Sequence, residues 1–376
     1  MLKILTAGES HGKYLVGILE GLPAGIQINR EFVADYLRRR RGGYGRGRRM
    51  NFEADEFEII GGVIKGKTTG APVAVLIKNS GRRELDREPK RTIPRPGHAD
   101  FAGALKFDMA DDFVPIIERS SARETAVRTA VLAFTVRFLQ ELGIKVLGYS
   151  ISIGNVRVEN VKYDPLQIEK HRDKSIFYFP VPGYDDLARK LVDEIMDKGD
   201  TLGGVFEVSA FNLPPGLGSH TDPDRKLDGR LASVIMSLNA VKGVEIGQGI
   251  EISKLTGSKV IDEFVISKGV RRTTNNLGGL EGGMTNGEPL IVRGYMKPIS
   301  TMRNRRMSFD FSTLKQSQAP YIRSDTVVVP AASVIAETLV SFVLANAILE
   351  KFGGDTLKDV KSSLEHYNNR IKKYFR

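Results

Sequence analysis

The sequence predicts an α+β fold in which a single large domain, residues 1–376, contains an internal pseudo-repeat. Runs of strand-forming residues arrive in groups and do not alternate regularly with helices, which favours this class over a doubly wound sheet. One motif rich in turn-forming residues occurs twice, and no low-complexity linker separates its copies. We therefore expect an internal duplication inside one domain, with halves of roughly 1–200 and 201–376.

The repeated motif reads Gly-x-Thr-x-Gly-x-Pro followed by an apolar residue, at 66–73 and at 283–290. Each copy precedes a predicted strand, at 73–77 and at 290–295. A second similarity, between 25–28 and 243–246, lies at nearly the same offset. Repeated order and spacing predict duplication of a plan of about 200 residues, although turn residues also match by chance.

The other elements follow from hydrophobic periodicity. Further strands are predicted at 57–63, 145–153, 204–211 and 259–266. Helices are predicted at 31–41, 124–142, 186–198, 229–240 and 357–371. The most apolar stretch, 327–349, is interrupted by Pro330 and Glu337, so we interpret it as a buried helix and expect no membrane span.

Composition excludes several classes of chemistry. The chain has no cysteine, which rules out disulfides, thiolate nucleophiles and cysteine-held clusters. It has neither the phosphate-loop motif nor the His-Glu-x-x-His motif, and we expect no metal site. Hydrophobic residues at 41% and charged residues at 27% are typical of a soluble protein. The N-terminus lacks a secretory pattern, so a cytoplasmic location is expected.

Basic residues are clustered near the N-terminus. Lysine and arginine number 56 against 45 acidic residues, a formal charge of +11. Four arginines are consecutive at 38–41, and Arg46, Arg48 and Arg49 follow in a glycine-rich loop. Composition leaves open a nucleic-acid patch, a solvated face or a pocket for a small polyanion. A helix over 31–41 would fan the arginines around its end, so they cannot all face one duplex.

A second candidate anion site lies at 119–124. Ser121 and Glu124 have the spacing of a capping box at a helix start. Arg119 and Arg123 flank that start, where backbone N–H groups and the helix dipole attract anions. A phosphate or carboxylate seat is one interpretation, and an ordinary capped helix with surface arginines explains the same residues.

Two of the five histidines lie in glycine- or proline-rich contexts that suit proton transfer. His11 follows Gly-Glu-Ser, and His98 lies in Arg-Pro-Gly-His-Ala-Asp at 95–100. Histidine can exchange a proton near neutral pH, because its ordinary pKa is about 6.5. His171 and His366 lie beside basic residues in polar segments and fit simple solvation, while His220 stays ambiguous.

Several long motifs together resemble the chorismate synthase family over essentially the whole chain. They are Gly-Glu-Ser-His-Gly at 8–12, the histidine motif at 95–100, Arg-Ser-Ser-Ala-Arg-Glu-Thr-Ala at 119–126, Ser-Leu-Asn-Ala-Val-Lys-Gly at 237–243 and Arg-Ser-Asp at 323–325. The resemblance implies a duplicated β-α-β sandwich that assembles as a homotetramer. Thr326, Val327, Ser300 and Met302 depart from residues common in the family, which puts only local geometry in doubt.

The resemblance also implies an activity. The family is a lyase that converts 5-enolpyruvylshikimate 3-phosphate to chorismate by anti-1,4-elimination of phosphate, the last step of the shikimate pathway to aromatic amino acids. It requires reduced FMN, and the clustered arginines would hold the substrate's carboxylates and both phosphates. We expect an external flavin reductant, no nucleic acid or membrane partner, and leave open whether NADPH binds directly.

Motif matching assigns roles to individual residues. His11 resembles the general acid that protonates the leaving phosphate, His98 the group that stabilises the anionic reduced flavin, and Asp325 the residue that helps a flavin nitrogen act as base. Substrate binding is assigned to Ser10, Arg40, Arg46, Arg49 and Arg123. FMN binding is assigned to Arg119, Ser120, Ser121, Asn239, Ala240, Gly282, Lys297, Pro298, Ile299, Ser300, Thr301 and Arg323.

Two rival functions fit parts of the same sequence. A basic nucleic-acid-binding protein would use the arginine cluster for retention that weakens with salt and would not respond to FMN. A flavin-independent phosphate lyase would use the same arginines and histidines without the cofactor. An assay with and without chemically reduced FMN separates these hypotheses.

Overall fold

The computed structural model describes residues 1–47, 55–266, 269–321 and 325–375. In these residues the strands are, in chain order, β1 Lys3–Ala7, β2 Tyr14–Glu20, β3 Phe57–Gly61, β4 Val63–Ile64, β5 Lys67–Thr68, β6 Val73–Lys78, β7 Lys145–Ile153, β8 Val156–Arg157, β9 Gly204–Phe211, β10 Val241–Ile246, β11 Phe264–Ile266, β12 Val270–Arg272, β13 Leu280–Glu281, β14 Met284–Thr285, β15 Leu290–Met296, β16 Met307–Phe309 and β17 Gln316–Gln318. The helices are α1 Arg30–Arg41, α2 Asp100–Lys106, α3 Val114–Ser120, α4 Glu124–Glu141, α5 Pro165–Arg172, α6 Asp185–Asp197, α7 Leu227–Met236, α8 Gly257–Val260, α9 Val329–Phe352 and α10 Leu357–Lys372.

Two antiparallel sheets enclose the central helices. The first sheet has the strand order β1-β2-β6-β3, and the second has the order β10-β15-β9-β7-β8. Helix α4 packs on β2 and β6, α9 packs on β7 and β9, and the two helices pack against each other. Both helices are buried along nearly their whole length, as their apolar composition requires. These layers confirm the predicted α+β class in one domain.

The two sheets have the same connectivity. The strand order β1-β2-β6-β3 in the first sheet corresponds to the order β7-β9-β15-β10 in the second. In both sheets these neighbouring strands pair antiparallel. Each sheet is followed along the chain by its long central helix, α4 or α9. Strand β7 already belongs to the second sheet, so a division by sheets falls near Gly143 and not near residue 200.

The repeated motif forms the same turn in both sheets. Its threonine, Thr68 or Thr285, donates its hydroxyl proton to the carbonyl oxygen of Pro23 or Pro214, at 2.7 Å in both copies. The same hydroxyl accepts the backbone N–H three residues after that proline, at 2.9 Å in both copies. A hydroxyl can donate and accept at once, which explains why threonine stands at this position.

Two residues after each of these prolines is a glycine with a left-handed backbone. Gly25 has a φ of 93° and Gly216 a φ of 83°, a region that glycine enters without steric cost. Gly216 is therefore the counterpart of Gly25. The predicted similarity to 243–246 is wrong in structural terms, because Gly243 lies inside strand β10.

Most predicted elements are present at their expected positions, with two exceptions. The predicted strand at 259–266 is divided between the end of α8 and the short strand β11, and its apolar residues are exposed. The predicted helix at 229–240 ends at Met236, and Ala240 adopts a φ of 68° that a helix cannot continue. In the described residues, α9 is long and apolar enough to cross a membrane, but 83% of its most apolar window is buried inside the protein.

Candidate active site

His11 lies in the loop between β1 and β2 and is held by Glu118 at the end of α3. The ring Nδ1 of His11 is 2.8 Å from Glu118 Oε1, and the backbone N–H of His11 donates to Oε2 at 2.7 Å. The backbone N–H of Ser10 donates to the carbonyl oxygen of Glu118 at 3.2 Å. Burial by itself raises the pKa of Glu118, but the hydrogen bonds from the ring and backbone of His11 lower that pKa below its usual value.

Ser10, Ser121 and Arg123 extend this cluster toward the start of α4. Ser10 Oγ donates to Ser121 Oγ at 3.0 Å. The Nε–H of Arg123 donates to Asn79 Oδ1 at 3.0 Å, and its guanidinium also pairs with Asp55. Asn79 in turn donates to the carbonyl oxygens at both ends of the His11 loop. The predicted residues Ser10, His11, Ser121 and Arg123 therefore lie in one hydrogen-bonded cluster.

The predicted capping box at Ser121 and Glu124 is wrong. Helix α4 begins at Glu124, and its N-cap residue makes no side-chain capping hydrogen bond. Glu124 instead accepts from the hydroxyl of Thr6 at 2.8 Å and from Arg128 at 2.9 Å. Arg119 donates to the carbonyl and hydroxyl oxygens of the same Thr6, at 3.0 and 2.9 Å. A long-range partner on β1 and a neighbour one turn along α4 occupy the carboxylate that a capping box would use.

The consecutive arginines of α1 point to different surroundings. Arg38 is exposed, with 72% of its side chain accessible. Arg39 is buried against Glu337 of α9, with Nη2 2.8 Å from Oε2, and this carboxylate also pairs with Arg172. Arg40 is buried and donates to Thr125 and to a backbone carbonyl at the start of α4. The cluster is therefore not one exposed basic face.

Arg40 presents part of its guanidinium to the site. Its Nη1 is buried and has no hydrogen-bond partner. Burial lowers the pKa of Arg40 to about 10, Asp55 and Asp325 act in the opposite direction, and Arg46 and Arg123 add to the lowering. These four charged groups therefore surround Arg40 closely enough to act on it. A bound anion would compensate the excess positive charge.

Asp325 precedes α9 and is held by the glycine-rich loop that follows α1. Its Oδ2 is 3.1 Å from Arg46 Nη1, and its Oδ1 accepts the backbone N–H of Gly47 at 2.7 Å. Both carboxylate oxygens therefore have partners. Arg46 is largely buried, and its Nε is a second buried donor without a partner.

His98 lies before α2 and faces the segment 297–301 that follows β15. Its Nε2 is 3.0 Å from Thr301 Oγ1, and its Nδ1 is 3.2 Å from the carbonyl oxygen of Pro96. The carbonyl can only accept, so Nδ1 carries a proton and Nε2 accepts from the threonine hydroxyl when the ring is neutral. Burial, with the positive charges of Arg95 and Lys297, lowers the pKa of His98 below its usual value.

The segment 297–301 is connected to the turn at 239–240 and, through that turn, to the first cluster. The backbone N–H of Lys297 donates to the carbonyl oxygen of Ala240 at 2.9 Å. The neighbouring Asn239 donates from its amide to the carbonyl oxygen of Ser120 at 3.1 Å. Ser300 Oγ donates to Gly97 beside His98 at 3.3 Å. The predicted residues on these segments are therefore neighbours in space.

A second connection runs to Asp325 and completes a ring of segments. The carbonyl oxygen of Ile299 accepts from the hydroxyl of Thr201 at 2.6 Å. Leu202, which follows Thr201, donates its N–H to the carbonyl oxygen of Thr326 at 2.9 Å. Thr326 donates its own N–H to Gly45 of the arginine loop at 2.9 Å. Helix α1 then leads back to α4 through Arg40. His11, His98 and Asp325 all lie on this ring.

One predicted residue of the described part of the chain, Gly282, lies away from the ring. Gly282 lies at the tip of the β13–β14 hairpin, whose Gly283 accepts from the first residue of α7, while Asn239 follows the last turn of that helix. The ten residues of α7 separate the two ends by about 15 Å. Arg49 and Arg323 lie outside the described residues.

Sequence reasoning missed the residues that hold the predicted ones in place. Glu118, Asn79, Asp55 and Thr125 contact His11, Arg123 or Arg40 from positions far away in the chain. Thr125, inside the motif at 119–126, and Glu118, which directly precedes it, offered a signal in the sequence, whereas Asn79 and Asp55 lie outside the motifs. In the described residues, no group of three histidine, aspartate or glutamate side chains could hold a metal ion.

The fold and the ring define a class: a two-sheet α+β protein with a ring of segments that carries arginines and two histidines. The sequence model of the chorismate synthase family matches residues 2–349. The chorismate synthase of Aquifex aeolicus is 46% identical over 394 aligned residues, covering 99% of both chains. That of Koribacter versatilis is 43% identical, covering 100% of both chains.

A solved structure gives the same result. A crystal structure of a chorismate synthase is similar with a TM-score of 0.82 at 42% identity, covering 99% of this chain and 98% of that chain. The chain belongs to the chorismate synthase family. This membership confirms the resemblance that the motifs indicated.

Proposed function

We propose that the protein catalyses the anti-1,4-elimination of phosphate from 5-enolpyruvylshikimate 3-phosphate to give chorismate, with reduced FMN as cofactor. Two buried donors without partners, Arg40 Nη1 and Arg46 Nε, carry the proposal, because such groups are costly unless a ligand satisfies them. Both substrate and cofactor bring phosphate, and the substrate also brings carboxylates, so their charges complement the arginines. Family membership selects this anion pair over others.

The residues around His98 fit a phosphorylated flavin. Ser300, Thr301 and Lys297 carry hydroxyl and ammonium groups on one segment. Asn239 lies on the turn bonded to that segment, and Arg119 precedes Ser120, which is bonded to Asn239. We assign FMN binding to these side chains together with the turn at 239–240 and the serines at 120–121. Reduced FMN, when bound there, would supply electron density that assists departure of the phosphate. Gly282 lies too far along α7 to join this site within one chain.

The arginines and His11 would act on the substrate. Arg40, Arg46 and Arg123 bind its anionic groups by charge-assisted hydrogen bonds, which fixes the leaving phosphate beside His11. His11, with Nδ1 engaged by Glu118, has Nε2 left to protonate a phosphate oxygen. Asp325 keeps Arg46 and the backbone of Gly47 in place through its two carboxylate oxygens.

His98 would respond to the cofactor's charge. Its Nε2 accepts from Thr301, and its lowered pKa keeps the ring neutral at pH 7. With the Nδ1 proton held by the carbonyl oxygen of Pro96, donation of a hydrogen bond from Nε2 to an anionic flavin ring requires a protonated His98. A negative charge within a few ångströms favours that protonation, so cofactor binding and proton uptake at His98 are coupled.

An anaerobic assay tests the proposal. Purified protein is mixed with 5-enolpyruvylshikimate 3-phosphate and with chemically reduced FMN, oxidised FMN or no flavin, and chorismate and phosphate are measured. We expect equal amounts of both products with reduced FMN and neither with oxidised FMN. Products without flavin would favour a flavin-independent lyase, and absence of products in every mixture would reject the activity.

We further propose that the protein works in the cytoplasm as a homotetramer supplied with reduced flavin by a separate reductant. These features follow from the family resemblance, and light scattering of the purified protein tests the assembly by its mass. A mass of one or two chains would contradict the tetramer. The nucleic-acid alternative is disfavoured because Arg39 and Arg40 are buried and bonded within the protein.

A further inference from the structure

We propose that Glu118 is the positioning residue that fixes the protonated nitrogen of His11, so that Nε2 and not Nδ1 delivers the proton. This inference rests on the proposed function for its catalytic consequence. The contact between the side chains of Glu118 and His11 does not depend on that function. In this proposal Glu118 acts on the reaction through His11 and does not itself contact the substrate.

Glu118 contacts the His11 loop at three points. Its Oε1 faces the ring, its Oε2 accepts the backbone N–H of His11, and its carbonyl oxygen accepts the N–H of Ser10. The side chain of Glu118 is 6% exposed and that of His11 is 22% exposed, so water competes little for the carboxylate and more for the ring. One residue therefore sets both the path of the loop and the plane of the imidazole.

The carboxylate also decides which ring nitrogen carries the proton. Hydrogen bonds from His11 hold the pKa of Glu118 below its usual value despite its burial, so the group is ionised at neutral pH. An ionised carboxylate accepts hydrogen bonds and cannot donate them. The ring must therefore donate from Nδ1, and a neutral His11 carries its single proton there. Nε2 lies on the opposite side of the ring from Glu118.

This arrangement suits a proton donor that acts once per turnover. A protonated His11 has hydrogen on both nitrogens, and it gives the Nε2 proton to the phosphate oxygen that leaves with the electron pair of the breaking C–O bond. The ring that remains is neutral and protonated on Nδ1, the form that Glu118 binds. A ring with the opposite tautomer would present a bare Nδ1 to the carboxylate, where two acceptors would meet.

The variant Glu118→Gln separates orientation from tautomer. The backbone N–H of His11 is an obligatory donor, so the glutamine must turn its carbonyl oxygen toward it. Its NH₂ group then faces Nδ1, which has to accept, and the single proton of a neutral ring moves to Nε2. The number of hydrogen bonds stays the same, and the fold is expected to be retained. A matched control is Glu350→Gln, because Glu350 is also largely buried and paired, with Arg230 at 2.8 Å.

The experiment measures the His11 tautomer by ¹⁵N NMR of histidine-labelled, ligand-free protein at a pH where the ring is neutral. We expect Nδ1 to carry the proton in the wild type and in Glu350→Gln, and Nε2 to carry it in Glu118→Gln. Turnover of Glu118→Gln should fall at least about tenfold, within the roughly 100- to 10,000-fold contribution of a general acid, with KM little changed. Glu350→Gln should retain wild-type turnover.

Each outcome decides the inference separately from the proposed function. A wild-type ring protonated on Nε2, or the same tautomer in wild type and Glu118→Gln, overturns it, and the wild-type spectrum suffices if the variant does not fold. A changed tautomer with undiminished chorismate formation also overturns it. If no protein forms chorismate while the tautomer changes as expected, the proposed activity fails and the positioning contact stands.

Discussion

The two histidines lie on one ring of segments but in opposite electrostatic surroundings. His11 is bonded to the carboxylate of Glu118, in a cluster on the α4 side of the ring. His98 is bonded to a hydroxyl and a carbonyl oxygen, and positive charges on Arg95 and Lys297 lower its pKa. The negative Glu118 orients the imidazole of His11, whereas the positive Arg95 and Lys297 keep the imidazole of His98 neutral until an anion binds. The difference indicates two proton tasks within one site.

The largest effect is expected when either histidine is removed. His11→Ala and His98→Ala should each lower turnover by roughly 100- to 10,000-fold, because each loses a group that handles a proton. His366→Ala, in the polar helix α10, is the matched control and should retain wild-type turnover. The measurement is the anaerobic rate of chorismate formation with reduced FMN. Similar rates in all three variants would remove the basis for comparing the two histidines.

A smaller effect, confined to the His11 side of the ring, is expected for Arg40→Lys. The single nitrogen of lysine cannot lie both where Arg40 bonds Thr125 and where Nη1 stands, so a charge-assisted hydrogen bond to the substrate is lost. We expect KM for the substrate to rise by about tenfold to 100-fold, corresponding to about 1.5–3 kcal/mol. Arg38→Lys on the same helix changes an exposed residue and should alter nothing. An equal response of the two variants would argue against Arg40 as a substrate ligand.

Asp325 joins the arginine loop to the segment that leads to His98. Its substitution should reduce turnover less than removal of either histidine. In Asp325→Asn the amide oxygen can still accept from Gly47, but the charge opposite Arg46 is lost. Turnover should fall by about tenfold, less than for either histidine, since a partly exposed ion pair contributes about 1 kcal/mol or somewhat more. Asp35→Asn, which affects the exposed pair with Arg38, is the control. A loss as large as that of His11→Ala would assign Asp325 a direct chemical role.

The smallest effect concerns the pH dependence of stability. The pKa of His98 is lower in the folded protein than in the unfolded chain, so the unfolded chain binds the proton more readily below the ordinary value of about 6.5. The free energy of unfolding should therefore decrease as pH falls from about 7.5 through the folded pKa. In His98→Gln this part of the decrease should be absent. Urea unfolding of both proteins across that range measures it, and identical slopes would contradict the lowered pKa.

Local pattern was sufficient for much of the fold. Strands β7 and β9 match their predicted bounds, since both lie in runs of apolar and β-branched residues. The motif threonines were found because their hydrogen bonds are local and recur in both sheets. The counterpart of Gly25 was missed because the residues that flank Gly216 differ from those that flank Gly25. The two glycines are equivalent only in their turn geometry and hydrogen bonds.

The supporting contacts of the site could not be predicted from local pattern. His11 and Glu118 are 107 positions apart, and Arg40 and Thr125 are 85 apart, so only the packed sheets and helices bring them together. The capping box failed for the same reason, because distant Thr6 on β1 takes the carboxylate of Glu124. Family motifs identified the residues that we propose react, and tertiary structure identified the groups that contact them.

The most direct test of the account is a crystal structure of the protein with oxidised FMN and 5-enolpyruvylshikimate 3-phosphate, a mixture expected not to turn over. The account expects His11 Nε2 about 3 Å from a phosphate oxygen of the substrate and the His98 ring within hydrogen-bonding reach of the flavin. The guanidinium groups of Arg40 and Arg46 should contact the bound anions. Ligands bound elsewhere, or a substrate phosphate out of reach of His11, would contradict the central claim that one ring of segments serves both histidines.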